Sequence, residues 1–146
     1  MAQGSVEAIG ISGEHSAPVT TVREVRAVAG RGLEGDRNFD RGEPGREVTL
    51  IEAEAIDDLA RAHGVELSYV DARRNIVTRG VSLNDLVDKE FTVGEVRIKG
   101  VKLSEPCQHL AGLTDQKVLR GLVHRGGLSA QILSDGTIRV GDTISE

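Results

Sequence analysis

The chain has 146 residues, a formal net charge of −5, 38% hydrophobic and 28% charged residues, ordinary figures for one soluble globular domain spanning 1–146. That acidic balance, with only Phe39, Tyr69 and Phe91 as aromatic rings, excludes a general nucleic-acid binder, which needs a basic surface and stacking platforms. No apolar run reaches the ~20 residues of a bilayer span, and a single cysteine, Cys107, excludes an intrachain disulfide or a multi-cysteine zinc site.

The opening MAQGSVEAIG has no basic n-region followed by an apolar h-region, so no secretory signal is expected and a reducing cytoplasm is the simplest location. Residues 5–11 and 20–28 are rich in β-branched side chains with partial alternation and predict strands. Between Ala29 and Arg46 runs a glycine- and arginine-rich loop, a length usually reserved for function or mobility. Strand character returns at Glu47–Ile51. A helix follows from about Glu52 to His63, where Ile56, Leu59, Ala60 and His63 fall on one face and Gly64 suits a left-handed cap.

Further along, Phe91–Val93 and Val96–Ile98 flank Gly94-Glu95, a two-residue loop suited to a type II′ hairpin. A second helix is predicted from about Asp115 to Val123, with Asp115 as cap and Gly126 or Gly127 as stop. Near the end, Gln131–Leu133 and Thr137–Val140 flank Asp135-Gly136, a hairpin signal. Many short strands, frequent glycine turns and two good helices predict a mostly β, α+β fold: a small barrel with helical decorations. A regular βαβ alternation is missing, which disfavours a doubly wound sheet.

Cys107 is the first chemical candidate. Pro106 suits the first position of a short helix, where backbone N–H groups and the helix dipole favour thiolate over thiol. Glu105 opposes that shift if its carboxylate points the same way. A thiolate serves as nucleophile, sulfur carrier or soft metal ligand, while a buried thiol is an inert small hydrophobe. His109 lies two residues away, and i and i+2 do not share a helix face, so the pair is poorly placed to chelate one metal. His15 and His63 carry no clear role.

Arginines form the second constellation. Arg31, Arg37, Arg41 and Arg46 punctuate the glycine loop, Arg73, Arg74 and Arg79 surround Asn75-Ile76-Val77, and His124-Arg125 precede Gly126-Gly127. Arginine beside glycine suits an anion site, because the guanidinium grips phosphate bidentately and glycine lets backbone approach. The plainer reading pairs these arginines with Glu34, Asp36, Asp40, Glu43 and Asp71. GRGLEGDR lacks the Gly-Lys-Ser/Thr ending of a P-loop, and no GxGxxG follows a strand.

Taken in order, GLEGDR (32–37), REVTLIE (46–52), RRNIV (73–77), GVSLNDL (80–86), EPC (105–107), HRGG (124–127) and the closing Gly141-Asp142 resemble bacterial MOSC domains over about Val6 to Ile144. The name comes from the C-terminal domain of molybdenum cofactor sulfurases. The resemblance implies a small, mainly antiparallel β-barrel of the pyruvate-kinase-like type with two or three short helices. It also implies a pyranopterin molybdenum cofactor, with Cys107 as catalytic residue and molybdenum ligand. Gly35, Asp36, Arg37, Arg73, Asn75, His124, Arg125 and Gly126 would then lie at the cofactor and its phosphate.

The activity so implied is that of an oxidoreductase component acting on a small-molecule substrate, as some relatives reduce N-hydroxylated compounds. No ferredoxin-like cysteine cluster is present, so electrons would come from a separate donor protein. Two alternatives stand beside it. One is a sulfur-carrier or cofactor-delivery module bearing a Cys107 persulfide, which a chain without a second cysteine cannot resolve internally. The other is a non-catalytic interaction barrel. Neither nucleic acid nor membrane is an expected partner. The second barrel of larger relatives and the pyridoxal-phosphate domain of sulfurases are not expected in this chain.

Overall fold

A computed structural model of the protein describes residues 3–13, 19–37, 39–40, 47–63, 74–103 and 127–146. Within them the strands are β1 (Gln3–Ile11), β2 (Thr20–Val22), β3 (Glu24–Val28), β4 (Gly32–Leu33), β5 (Val48–Glu52), β6 (Ile76–Arg79), β7 (Glu90–Val93), β8 (Val96–Leu103), β9 (Leu128–Ile132), β10 (Gly136–Arg139) and β11 (Thr143–Ser145). One α-helix, α1 (Ala53–His63), and one 3₁₀ turn, Leu83–Leu86, accompany them.

Seven strands close on themselves in the order β1-β6-β5-β9-β8-β7-β11, because β11 pairs with both β7 and β1, and β2 is appended to the far half of β1. Register shifts at Val6/Ala8 and Gly100/Lys102 mark the bulges that let long strands curve around the barrel. The interior is mainly aliphatic, with Phe91 as a buried ring: Leu50, Ile76, Leu83, Ile98, Leu128 and Ile132 are essentially inaccessible. Each such side chain contributes about 1.5–3 kcal/mol by leaving water.

All barrel pairings are antiparallel except β5–β6, where Leu50, Ile51 and Glu52 face Ile76, Val77 and Thr78 in parallel. A parallel neighbour demands a crossover, and α1 supplies it. Its Ala53, Ala55 and Ile56 are buried, together with Ile51 and Val77, in a layer outside the barrel's main core. Covered on both faces, β5 and β6 lose the alternation that β8 keeps.

Two expectations need correction. The predicted strand 20–28 breaks at Arg23: β2 joins the barrel, while β3 joins a separate three-stranded sheet in the order β10-β3-β4. The Asp135-Gly136 signal marks the passage from β9 to β10 but not a hairpin, because β9 stays in the barrel and β10 pairs with β3, from Gly136 opposite Ala27 to Arg139 opposite Glu24. By contrast, β7 and β8 form the expected hairpin. Gly94 has φ +60° and Glu95 has negative φ, the signature of a type II′ turn. The loop expected over 29–46 contains β4, and β6 has no counterpart among the predicted strands. The second predicted helix, Asp115–Val123, lies outside the described residues. No helix among the described residues is long and apolar enough to cross a membrane.

Candidate functional site

The end of β1 gathers three of the residues singled out in the sequence. Gly10 donates its N–H to the Asn75 carbonyl at 2.7 Å and accepts from Asn75 Nδ2 at 3.1 Å. Two residues on, Ser12 donates its N–H to Asp36 Oδ1 at 3.0 Å, and its carbonyl accepts the Arg37 N–H at 2.6 Å. Alternate residues of a strand turn their polar groups to the same side. The Asp36-Arg37 dipeptide therefore lies where β6 would continue if it began earlier. That places the GLEGDR and RRNIV motifs side by side at one rim of the barrel.

The path into this position is a tight turn. Asp36 N–H reaches the Leu33 carbonyl at 3.1 Å with Gly35 at the third position and φ +89°, the geometry of a type II turn. A Cβ at Gly35 would stand 3.3 Å from Ile11 Cδ1, so glycine serves both the backbone and the packing on β1. The chain then turns again, Phe39 N–H bonding the Asp36 carbonyl at 3.0 Å. Beyond, Arg31 holds Asp40 with two hydrogen bonds, at 3.1 and 3.0 Å, and its guanidinium lies 4.8 Å from the Phe39 ring centre. The hydrogen bond and charge of Arg31 hold the Asp40 carboxyl below its usual range and raise the Arg31 pKa in return. Arg31 is thus committed to the loop, as the plainer reading of the arginines expects.

Asn75 is a fastener for three strands. Besides Gly10, its Oδ1 accepts from the Thr49 N–H at 3.0 Å and from Thr49 Oγ1 at 3.2 Å, tying β5 to the start of β6. Asp36 and Asn75 are each about 6% exposed, Ser12 2%. Their polar groups are therefore satisfied within the protein, as burial requires. On the opposite side of β5, buried Glu47 accepts the Ile132 N–H at 3.1 Å.

Arg73, Cys107, His124, Arg125 and Gly126 lie outside the described residues, as do Arg41, Arg46, His15 and His109. Among the candidates, the structure brings together Gly35, Asp36, Arg37 and Asn75, with Arg74 next to Asn75 in the chain. Sequence reading missed Gly10, Ser12 and Thr49, which organise that group. Ser12 follows an apolar strand and carries no motif; only the pairing with a residue 24 positions away gives it a role.

The comparisons agree with this architecture. Among solved structures, the YuaD protein of Bacillus subtilis superposes with a TM-score of 0.84 at 14% identity, covering 97% of this chain and 94% of that one. YiiM of Geobacillus stearothermophilus gives 0.78 at 13% identity, covering 97% and 74%. YiiM of Escherichia coli gives 0.71 at 18%, covering 97% and 68%. At such identities the likeness is one of fold. No curated protein sequence matches the chain. The sequence profile of the MOSC domain, however, matches residues 39–145, well over half of the chain. With the closed barrel and the ordered motifs already in view, the protein belongs to the MOSC domain family.

Proposed function

We propose that the protein binds a pyranopterin molybdenum cofactor and works as an oxidoreductase component on a small-molecule substrate. The observation that carries this reading is the docking of Asp36-Arg37 beside the start of β6, which sets Arg37 and the Arg74-Asn75 segment at one rim of a MOSC barrel. The donor set fits an anionic, phosphate-bearing group, since guanidinium recognises phosphate through paired N–H donors. Among the described residues no cluster of three or more His, Cys, Asp or Glu could hold a metal ion. The EPC motif of the MOSC resemblance assigns the protein ligand to molybdenum to the Cys107 thiolate, a soft donor suited to that metal.

When bound, the cofactor supplies a metal centre able to exchange electrons with the substrate. The chain's own part is to hold it. Arg37, with Arg73 and the His124-Arg125-Gly126 segment from the same motifs, binds the phosphate, and Gly35 gives the turn that delivers Arg37. Electrons come from a separate donor protein. A reducing cytoplasm keeps Cys107 out of disulfides and free to ligate.

The test is the pterin released from denatured protein after expression in a host that makes the cofactor. Wild type should release it in near-stoichiometric amount. Arg37→Ala should retain about a tenth or less, since a charged hydrogen bond to phosphate is worth roughly 1.5–3 kcal/mol. Pterin-free wild-type protein carrying a Cys107 persulfide would support sulfur carriage in place of cofactor binding.

A further inference from the structure

We infer that Asp36 is the positioning residue of the proposed anion site, setting the Arg37 backbone through Ser12; the inference rests on the reading of Arg37 as an anion ligand. A carboxylate beside a phosphate ligand is electrostatically unfavourable, because it repels the anion Arg37 would hold. Its presence asks for a geometric reason, and the hydrogen bonds supply one. Ser12 is gripped twice, its carbonyl by the Arg37 N–H at 2.6 Å and its N–H by Asp36 Oδ1 at 3.0 Å.

One hydrogen bond leaves a peptide free to swing about the donor–acceptor line. Two from adjacent groups close a ring and fix both position and orientation. Asp36 and Ser12 are almost fully buried, so water does not compete for the bond between them. Upstream, the type II turn at Gly35 delivers Asp36 with its short side chain within reach of Ser12. The requirement is for an acceptor atom at the Asp36 Oδ1 position, not for a charge.

Substitutions that separate acceptor geometry from charge test this directly. Binding of inorganic phosphate to the full chain is followed by phosphorus NMR titration, beside thermal melts that establish folding. Arg37→Gln should weaken phosphate binding about tenfold. Asp36→Asn keeps an oxygen in place without charge and should bind phosphate within about twofold of wild type or more tightly. Asp36→Glu keeps the charge but moves the acceptor by a methylene, and should lose about as much as Arg37→Gln. The double variant Asp36→Glu/Arg37→Gln should bind no more weakly than Arg37→Gln alone, because both changes remove one contact.

Folded Asp36→Glu that binds like wild type, or losses that add in the double variant, overturns the positioning role. So does Asp36→Asn failing as Asp36→Glu fails. If Arg37→Gln itself binds phosphate like wild type, the anion-site reading fails, and this inference with it.

Discussion

Asn75 commits its side chain to backbone on both neighbours, donating to Gly10 and accepting from Thr49. Replacing it with alanine leaves a buried Gly10 carbonyl and the Thr49 N–H short of a partner. Asn75→Ala should lower stability by about 2–3 kcal/mol, seen as a lower urea midpoint at unchanged slope. A midpoint within error of wild type would show that the fastening is dispensable. Asp40 offers a pH-dependent case. Arg31 lowers its pKa in the folded state, so its contribution is present above the unfolded-state value near 3.8 and is lost as pH falls through the lower folded value. Asparagine tolerates the positive φ of +63° that Asp40 adopts, so Asp40→Asn isolates the charge. Its melting temperature should fall below wild type at neutral pH and low salt, with the gap closing in strong acid and in high salt. A gap independent of pH would assign the effect to backbone or packing. Residue identity was legible in sequence where chemistry is local, as in the glycine-arginine loop. It was not for Ser12, Gly10 and Thr49, whose roles exist only once distant strands meet.

Among the elements, β10 shows how an exposed strand edge is finished. One side pairs with β3; on the other, the Thr137 N–H is taken by Glu95 Oε2 at 3.1 Å and the Arg139 N–H by Asp142 Oδ2 at 2.8 Å. Capped N–H groups offer no template for an incoming strand. The paired change Glu95→Ala with Asp142→Ala should shift the protein to larger, concentration-dependent species on size-exclusion chromatography. An elution volume equal to wild type at every concentration would contradict this. Sequence patterning revealed elements whose periodicity is their own, such as α1 and the II′ hairpin of β7 and β8. Patterning misled where neighbours decide. The run 20–28 looks continuous because both halves are β-branched, yet Arg23 marks the point where the chain leaves one sheet for another. β6 was hard to see because α1 buries the outward face that polar residues would otherwise mark.

Across the whole molecule, closure of seven strands removes most open edges and leaves β5-α1-β6 as the one crossover among the described residues. Fold class was legible from strand frequency, glycine turns and the ordered motifs, and the family follows from the same motifs. Strand partners were not, since register depends on contacts far apart in sequence. The barrel explains how residues 12, 36, 37 and 75 share a rim, while Cys107 enters the account through its EPC motif. The most direct measurement is therefore the molybdenum content per chain of wild type and Cys107→Ser, both made in a cofactor-competent host. Serine is a hard oxygen donor, not ionised near neutral pH, and does not replace a thiolate at a soft metal. Wild type should carry close to one molybdenum per chain and Cys107→Ser at least about tenfold less, with melting temperatures alike. Equal molybdenum in the two proteins, or none in soluble wild type under conditions that load a known cofactor enzyme, would contradict the account.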